Sequence, residues 1–341
     1  MARRPAPKTA PADLDVVAEI NRMYPGALMT ASDPDLAVTR VPVGILPLDH
    51  ILDGGIPRGR FIEVYGPYST LKSYFLYKAL AAYQARGKKV GLIDTEHSWD
   101  PEWGASLGID VDSLVVARPE TAEQGIGILE ALIRNKYDLV GFDSIAASQP
   151  RQYANEAPGD DNAPAALARV MSRGLARLTA ANKHTSVIFI NQQRQTIGIT
   201  FGPKTATSGG KAMGYYASYR MSFVRTGKIT EDFKQHDGDK WIDSKRVVAH
   251  KIQATLEKSK LSAPHADCHF VFDLRTAQVD EVGWLIAQGL EAGLIQRTTT
   301  GHHTIPGVLD KAIHGGAKFR TWVNENEEAV AWLKTSILDG H

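Results

Sequence analysis

Apolar positions along the chain fall into two alternating rhythms. A first short stretch, Leu14, Val17, Ile20 and Met23, recurs at helical spacing and is stopped by Pro25-Gly26, so a helix is expected over 14–24. It is too short to be stable alone and must pack on something. From residue 61 onward, compact apolar runs alternate with longer amphipathic ones. FIEVY (61–65), KVGLIDTE (89–96), LVVAR (114–118), LVGFDSI (139–145) and SVIFINQ (186–192) read as strands, and 73–86, 121–136 and 165–182 read as helices between them. Near-continuous apolar strands separated by helices imply an α/β fold, with a mostly parallel central sheet covered by helices on both faces.

The rhythm breaks over 193–218, a long Gly/Ser/Thr-rich stretch, and loops of that length inside a compact domain carry function or motion. Further on, 219–226, 245–257 and 268–274 alternate as strands, and helices are expected at Glu281–Leu294 and near Glu327–Ile337. The expected division is a tail and helix over 1–35, a core over 36–273 and a small α/β domain over 274–341. Residues 1–12, rich in Ala and Pro, are expected to be disordered.

Composition sharpens the class. The 341 residues are 43% hydrophobic, ample for a sizeable core. No run of 18 or more apolar residues occurs, so no membrane span is expected. The basic start, MARRPAPKTAPAD, lacks the apolar segment of a signal peptide. The one cysteine, Cys268, excludes an intramolecular disulfide and fits a reducing, cytoplasmic compartment. The net charge of +1 hides its distribution. From Asn162 to Thr230 there is no Asp or Glu, while Arg169, Arg173, Arg177, Lys183, Arg194, Lys204, Lys211, Arg220, Arg225 and Lys228 make the window +10. Some of these are ordinary solvated helix positions. A total absence of acids over that length points to a polyanion surface, because clustered cations release counterions from phosphates.

The strand at 61–65 runs into GPYSTLKS (66–73), which meets the phosphate-loop pattern G-x-x-x-x-G-K-[ST] except that Leu71 replaces the second glycine. In such a loop Gly66, Pro67, Tyr68, Ser69, Thr70 and Leu71 offer backbone groups to phosphates, Lys72 neutralises the outer ones, and Ser73 directs Mg2+. Leu71 must adopt a glycine-like backbone, which is costly if φ is positive. Alone, the match weighs no more than a plain strand-turn-helix. Asp143, closing LVGFD, stands where a second Mg2+-directing carboxylate belongs. Asp94 and Glu96 bring a further carboxylate to the same carboxyl edge, where ligands bind in open α/β sheets and an acid can orient an attacking water. Each acid has a bland alternative as a strand-end cap, yet the three in order point to an ATPase.

Taken together, VPVGILPLDHILDGGIPRGRFIEVYGPYSTLKS, LIDTEHSWDPEWGASLGIDVDSLVV, FDSIAA, FINQQRQTIGITFGPKTATSGGKAMGYYASYR and EKSKLSAP resemble the RecA family of strand-exchange recombinases, from about residue 14 into the C-terminal region. The resemblance implies a RecA-like ATPase core that uses ATP and Mg2+. Gly66, Lys72 and Ser73 match the phosphate and Mg2+ contacts, with Asp143 acting through water. Glu96 matches the catalytic glutamate, Asp100 and Trp103 the adenine contacts, and Gln192 the glutamine that senses the γ-phosphate. Lys258 and Lys260 match lysines that reach a neighbouring subunit's ATP, which implies a homo-oligomeric helical filament.

For DNA, the family's loops correspond to about 152–164 and 193–210. Arg169, Arg194, Ile197, Gly209, Gly210 and Lys211 match positions in or beside them, with Ile197 wedging between bases. The implied partners are single-stranded DNA, homologous duplex DNA and a single-strand-binding or mediator protein, for recombination and repair. The sequence departs from the family at Ala163-Pro164, where a methionine wedge is expected, and at Thr196 and Gly214, each in place of a lysine. The family's acidic tail is also expected to be missing, since the sequence runs only to LDGH. Phage-encoded relatives tolerate a bulky residue before the loop lysine, so Leu71 implies a bacteriophage source and the bacterial host cytoplasm. A hexameric helicase of the same fold, and a DNA-binding mediator that no longer hydrolyses ATP, are the alternatives. In HADCH (265–269), strand alternation sets Cys268 and His269 on opposite faces, so no metal site is expected there. His302-His303 are expected to be solvated in a turn, and Tyr215-Tyr216 to pack beneath the second loop.

Overall fold

The computed structural model describes residues 14–153, 163–195, 205–237 and 240–338. The Ala/Pro-rich start, expected to be disordered, lies outside them. By its internal contacts the chain divides into one unit ending at Thr39 and another from Arg40 onward. In the first, α1 (Leu14–Met23) ends just before Gly26, whose φ of +73° suits glycine. Asn21 then closes the turn, donating to the Leu28 carbonyl at 2.6 Å and accepting from its N–H at 3.0 Å.

The second unit begins with β1 (Arg40–Val41), α2 (Leu46–Ile51) and β2 (Ile56–Pro57), and β1 pairs with β2. The expected alternation follows: β3 (Phe61–Gly66), α3 (Lys72–Gln84), β4 (Val90–Asp94), α4 (Pro101–Ser106), β5 (Val115–Ala117), α5 (Ala122–Arg134), β6 (Leu139–Asp143), α6 (Ala163–Ala181) and β7 (Ser186–Gln195). β3, β7, β6, β4 and β5 lie side by side in that order, all parallel. Successive strand residues feed opposite layers. Ile62, Val64, Leu139, Ile188 and Ile190 join the cluster that holds Phe75, Leu76 and Leu80 of α3. Phe61, Val140, Phe142, Val187 and Phe189 join the cluster that holds Leu129 of α5 and Met171 and Leu175 of α6. Burial at roughly 1.5–3 kcal/mol per large apolar side chain on both faces is what demands helices on both.

Both ends of the expected long loop carry structure. β8 (Thr205–Thr207) pairs antiparallel with the end of β7, and α7 (Ala212–Tyr216) follows. The largest departure lies beyond. β9 (Tyr219–Asp237) and β10 (Lys240–Ser259) were expected to stop near 226 and to start near 245, yet they continue as a two-stranded ribbon. β9 pairs with β3 only over Tyr219–Ser222, and β10 with β11 (Asp267–Asp273) only over Ala249–Thr255. The ribbon's polar residues hid it from hydrophobic periodicity. Across the strands, Glu231 faces Arg246, Asp232 faces Lys245, and Lys234 faces Asp243, and opposite charges in such positions favour pairing.

After β12 (Gln278–Val279), the chain forms α8 (Glu281–Glu291), β13 (Gln296–Arg297), β14 (His302–Ile305), β15 (Leu309–His314), α9 (Gly316–Glu325) and α10 (Glu327–Leu338). Of these, α8 and α10 were expected, whereas the small three-stranded sheet and α9 were not. Trp284, Leu285, Phe319, Val323 and Leu333 share one apolar cluster with β10 and β11. His303 is buried rather than solvated, because β14 turns it onto Phe319 with ring centroids 4.9 Å apart. Cys268 is buried on β11 and His269 exposed, as alternation required. Among the described residues no group of three or more His, Cys, Asp or Glu could hold a metal ion, and no helix is long and apolar enough to cross a membrane.

Candidate nucleotide site and nucleic-acid face

The carboxyl ends of the central strands bring the predicted residues together. Gly66 lies beside Gln192 in the β3–β7 register, and Asp94 beside Asp143 in the β4–β6 register. A Cβ on Gly66 would collide with the Phe223 carbonyl oxygen, so glycine is required there. Ser69 and Leu71 both adopt left-handed backbone, at φ +55° and +70°. Leu71 does what the missing glycine would do, at a cost of about 1–2 kcal/mol, and packs its half-buried side chain against the core.

Lys72 follows at the start of α3, only 9% exposed. Its Nζ donates to the Pro67 carbonyl at 2.6 Å, the Gly66 carbonyl at 3.2 Å and Thr70 Oγ1 at 3.5 Å. Burial pulls its pKa below the usual lysine range, while Asp143 and Glu96 act to raise it. Ser73 Oγ donates to Asp143 Oδ2 at 2.8 Å. Burial pushes the Asp143 carboxyl up to about 6, with Glu96 and Asp94 adding to the rise and the Ser73 hydrogen bond and Lys72 opposing it. Glu96 is exposed and accepts from Ser144 Oγ at 2.5 Å and from Gln192 Nε2 at 3.4 Å. Asp94 has the bland role. It is buried, caps the turn by accepting from Ser98 and Trp99 N–H at 3.1 Å each, and lies 3.6 Å from Arg118.

Lys72, Ser73, Glu96, Asp143 and Gln192 line a cleft of about 500 Å³ together with Tyr68–Leu71, Tyr74, Ile190, His250 and Leu274. Two left-handed residues ahead of a helix N-terminus turn backbone N–H groups toward an anion. Ser73 and Asp143 supply oxygen donors suited to a hard cation. The donor set therefore fits a nucleoside triphosphate with Mg2+. Two predicted groups stand outside the cleft lining. Asp100 caps α4, accepting from Glu102 N–H at 2.9 Å and Trp103 N–H at 3.3 Å, and Trp103 is 40% exposed. Lys258 donates to the carbonyls of Gly214 (2.5 Å) and Ala217 (3.0 Å), and Lys260 to that of Tyr215 (2.7 Å). Both lysines thus hold the carbonyl end of α7.

The model of the RecA N-terminal domain matches residues 14–272. Protein RecA of Acidothermus cellulolyticus is 35% identical over 329 residues, covering 95% of this chain and 90% of that protein. The chain belongs to the RecA family. Protein RecA of Mycobacterium avium (35% over 329 residues, 95% and 89% covered) and of Salinispora tropica (34% over 330 residues, 95% and 90% covered) are similar to the same extent. All three sources are bacterial and lend no support to a phage origin. Among solved structures, the RadB recombinase aligns with a TM-score of 0.50 and 21% identity over 70% of this chain and 98% of that one, a likeness of fold.

The described C-terminal ends of the two segments matched to the family's loops, 163–164 and 207–210, face one hollow. A cavity of about 510 Å³ lies between 146–150, the start of α6 at Ala163-Pro164, and 207–210. Gly209 and Gly210, at φ +81° and +76°, press on helix neighbours: a Cβ would lie 2.9 Å from Ile145 Cγ2 at the first and 2.7 Å from Ala168 Cβ at the second. Arg169 is exposed on α6 and, with Arg173 and Arg177, lines an adjoining cavity of about 350 Å³. Lys211 is exposed beside the glycine pair. Arg194 pairs through its backbone with Ala206. Ile197 and Thr196 lie outside the described residues.

Two expectations are corrected. The cations of the acid-free window are not all free for a polyanion, since Arg177, though exposed, is paired with Glu130 and Arg220 is turned inward onto Glu63. Tyr215 is 71% exposed rather than packed beneath the loop, because α7 turns only Tyr216 onto the core. Sequence reasoning also passed over His250 in the cleft, Ser144 behind Glu96, and the buried Glu63 and Asn191 on the neighbouring strands. A charged residue in FIEVY and an amide in FINQ, both inside apolar strands, were the signals for the last two.

Proposed function

We propose that the chain is an ATP-dependent DNA recombinase, which assembles as a helical filament on single-stranded DNA and pairs it with homologous duplex, hydrolysing ATP when DNA is bound. The observation that carries this reading is Glu96. It sits at the mouth of the phosphate loop, hydrogen-bonded to Ser144 and to Gln192, and Gln192 lies on β7, the strand that leads directly into the second loop. Lys72 would neutralise the outer phosphates, and Ser73 with Asp143 would direct Mg2+, which supplies charge neutralisation at the phosphates when bound. Glu96 would orient water, and Gln192 would relay the presence of the γ-phosphate to 193–210. Asp100 and Trp103 would hold adenine. Arg169, Arg194, Ile197, Gly209, Gly210 and Lys211 would grip the strand without reading its sequence.

Lys258 and Lys260 would leave the α7 carbonyls to complete the site of the next subunit, and α1 would dock on that neighbour. The domain division at about 35 and 273 belongs to the same proposal. The test is ATP hydrolysis with and without single-stranded oligonucleotide, in wild type, Lys72→Ala and Glu96→Gln. The expected result is turnover stimulated by the oligonucleotide and abolished by both substitutions. Turnover indifferent to the oligonucleotide and to both changes overturns the reading.

A further inference from the structure

β3 is apolar apart from Glu63, which is completely buried. A carboxylate so placed costs several kcal/mol unless its charge and lone pairs are met. Here both oxygens are met. Oε2 accepts from Arg220 Nε at 2.5 Å and Oε1 from Asn191 Nδ2 at 2.8 Å. The Arg220 guanidinium also lies over the Tyr65 ring, 5.0 Å from its centroid. Both partners then reach one short segment. Asn191 Nδ2 donates to the Ser208 carbonyl at 2.9 Å, and Arg220 Nη2 to Thr207 Oγ1 at 3.5 Å. Thr207 and Ser208 are the last residues before Gly209-Gly210. On its other side, Asn191 Oδ1 accepts from the Gln192 N–H at 2.9 Å. One buried amide thus touches the backbone of a cleft residue and the exit of the second loop.

A buried ion pair is a poor way to stabilise a sheet, because apolar side chains of similar volume do as well or better. What it provides is direction, since each donor and acceptor is satisfied in one arrangement only. We infer that Glu63, Asn191 and Arg220 form a clamp that holds the exit of the second loop in register with the nucleotide edge. Glu63 and Arg220 are then positioning residues for nucleic-acid capture, and this rests on the recombinase reading. Without the clamp the nucleotide pocket stays intact, while 205–210 loses its fixed place against α6 and the grip on the strand weakens.

The experiment compares wild type, Glu63→Gln and the apolar double variant Glu63→Met/Arg220→Met by thermal unfolding, by affinity for a fluorescent ATP analogue, and by affinity for oligothymidylate with a non-hydrolysable ATP analogue. The double variant is expected to unfold near the wild-type temperature and to bind nucleotide within about twofold, while oligonucleotide affinity drops on the order of tenfold or more. Glu63→Gln keeps the side chain's shape and its Asn191 bond, so its oligonucleotide affinity is expected between the two. A double variant that binds oligonucleotide as wild type does overturns the inference alone. A wild type that binds no oligonucleotide overturns the recombinase reading and the inference with it. If the double variant unfolds, Glu63→Gln decides: loss of oligonucleotide affinity at unchanged nucleotide affinity upholds the clamp, and an equal loss of both refutes it.

Discussion

The phosphate-loop edge and the β9–β10 ribbon are both rich in charge, and they use it in opposite ways. At the loop edge, Lys72, Asp94 and Asp143 are buried, two non-glycine residues hold left-handed backbone, and every charged group meets a specific partner. In the outer ribbon, the pairs Glu231–Arg246 and Asp232–Lys245 sit 3.0 and 3.7 Å apart with both partners largely in solvent. Water screens the second set and not the first. Residues of like charge should therefore differ greatly in consequence, by location alone. The largest effect is expected from Lys72→Ala or Glu96→Gln, each lowering oligonucleotide-stimulated ATP turnover by about 10²- to 10³-fold. Thermal unfolding should shift far less. A variant that retained turnover within a few-fold would erase the contrast.

How far the sequence told these regions apart follows from the same physics. Apolar strands and their carboxyl-edge acids were legible because burial on both faces leaves continuous runs, and the polar residue that ends each run falls at the edge. Gly66, Lys72, Ser73, Glu96, Asp143 and Gln192 accordingly meet where the motifs put them. The ribbon was not legible, since its pairing rests on cross-strand charge and on no apolar period. His303 was misjudged because Gly and Thr neighbours mimic a turn, whereas its burial comes from Phe319, sixteen residues away. Glu63 and Arg220 belong to strands far apart in sequence, and only their adjacency in the sheet explains two charges in an otherwise apolar layer.

A buried carboxylate remote from the phosphate loop separates burial from nucleotide chemistry. Asp49 accepts from Val43 N–H at 2.7 Å and Gly44 N–H at 2.9 Å. Burial, with help from Glu281, raises it from 3.8 to about 6 even so. The folded state thus favours the protonated form. Its contribution to stability is full below the ordinary carboxylate value and is lost as pH rises through about 6. In urea unfolding across that window, Asp49→Asn should gain on wild type by up to about 3 kcal/mol as pH rises, and then level off. Altered bonding to Val43 and Gly44 adds only a constant offset. A gap independent of pH would show that burial there leaves the charge undisturbed.

The backbone supplies a smaller test. Leu71→Gly removes the strain of φ +70° but gives up packing and adds freedom to the unfolded chain. Leu71→Ala gives up the packing and keeps the strain. The alanine variant should therefore be less stable than the glycine variant by about 1 kcal/mol, the reverse of their order inside a helix. Equal stabilities would mean that the loop relaxes around residue 71.

The smallest effect belongs to the ribbon, and its smallness is the sharpest check on the contrast. Asp232→Lys places a second cation opposite Lys245, in a pair whose side chains are 81% and 71% exposed. Exposed pairs contribute a few tenths of a kcal/mol, and like charges directly opposite cost a similar amount. The unfolding free energy should fall by less than about 0.5 kcal/mol, and added salt should remove the difference, because charges so exposed are screened within about 10 Å at ordinary ionic strength. ATP turnover and oligonucleotide binding should match wild type, since Asp232 pairs across the ribbon with Lys245 and lines neither the cleft nor the hollow beside Gly209-Gly210. A loss well above 1 kcal/mol, or one that persists at high salt, would mean that the ribbon's charges are shielded from water in the working protein. The two regions would then differ in degree and not in kind.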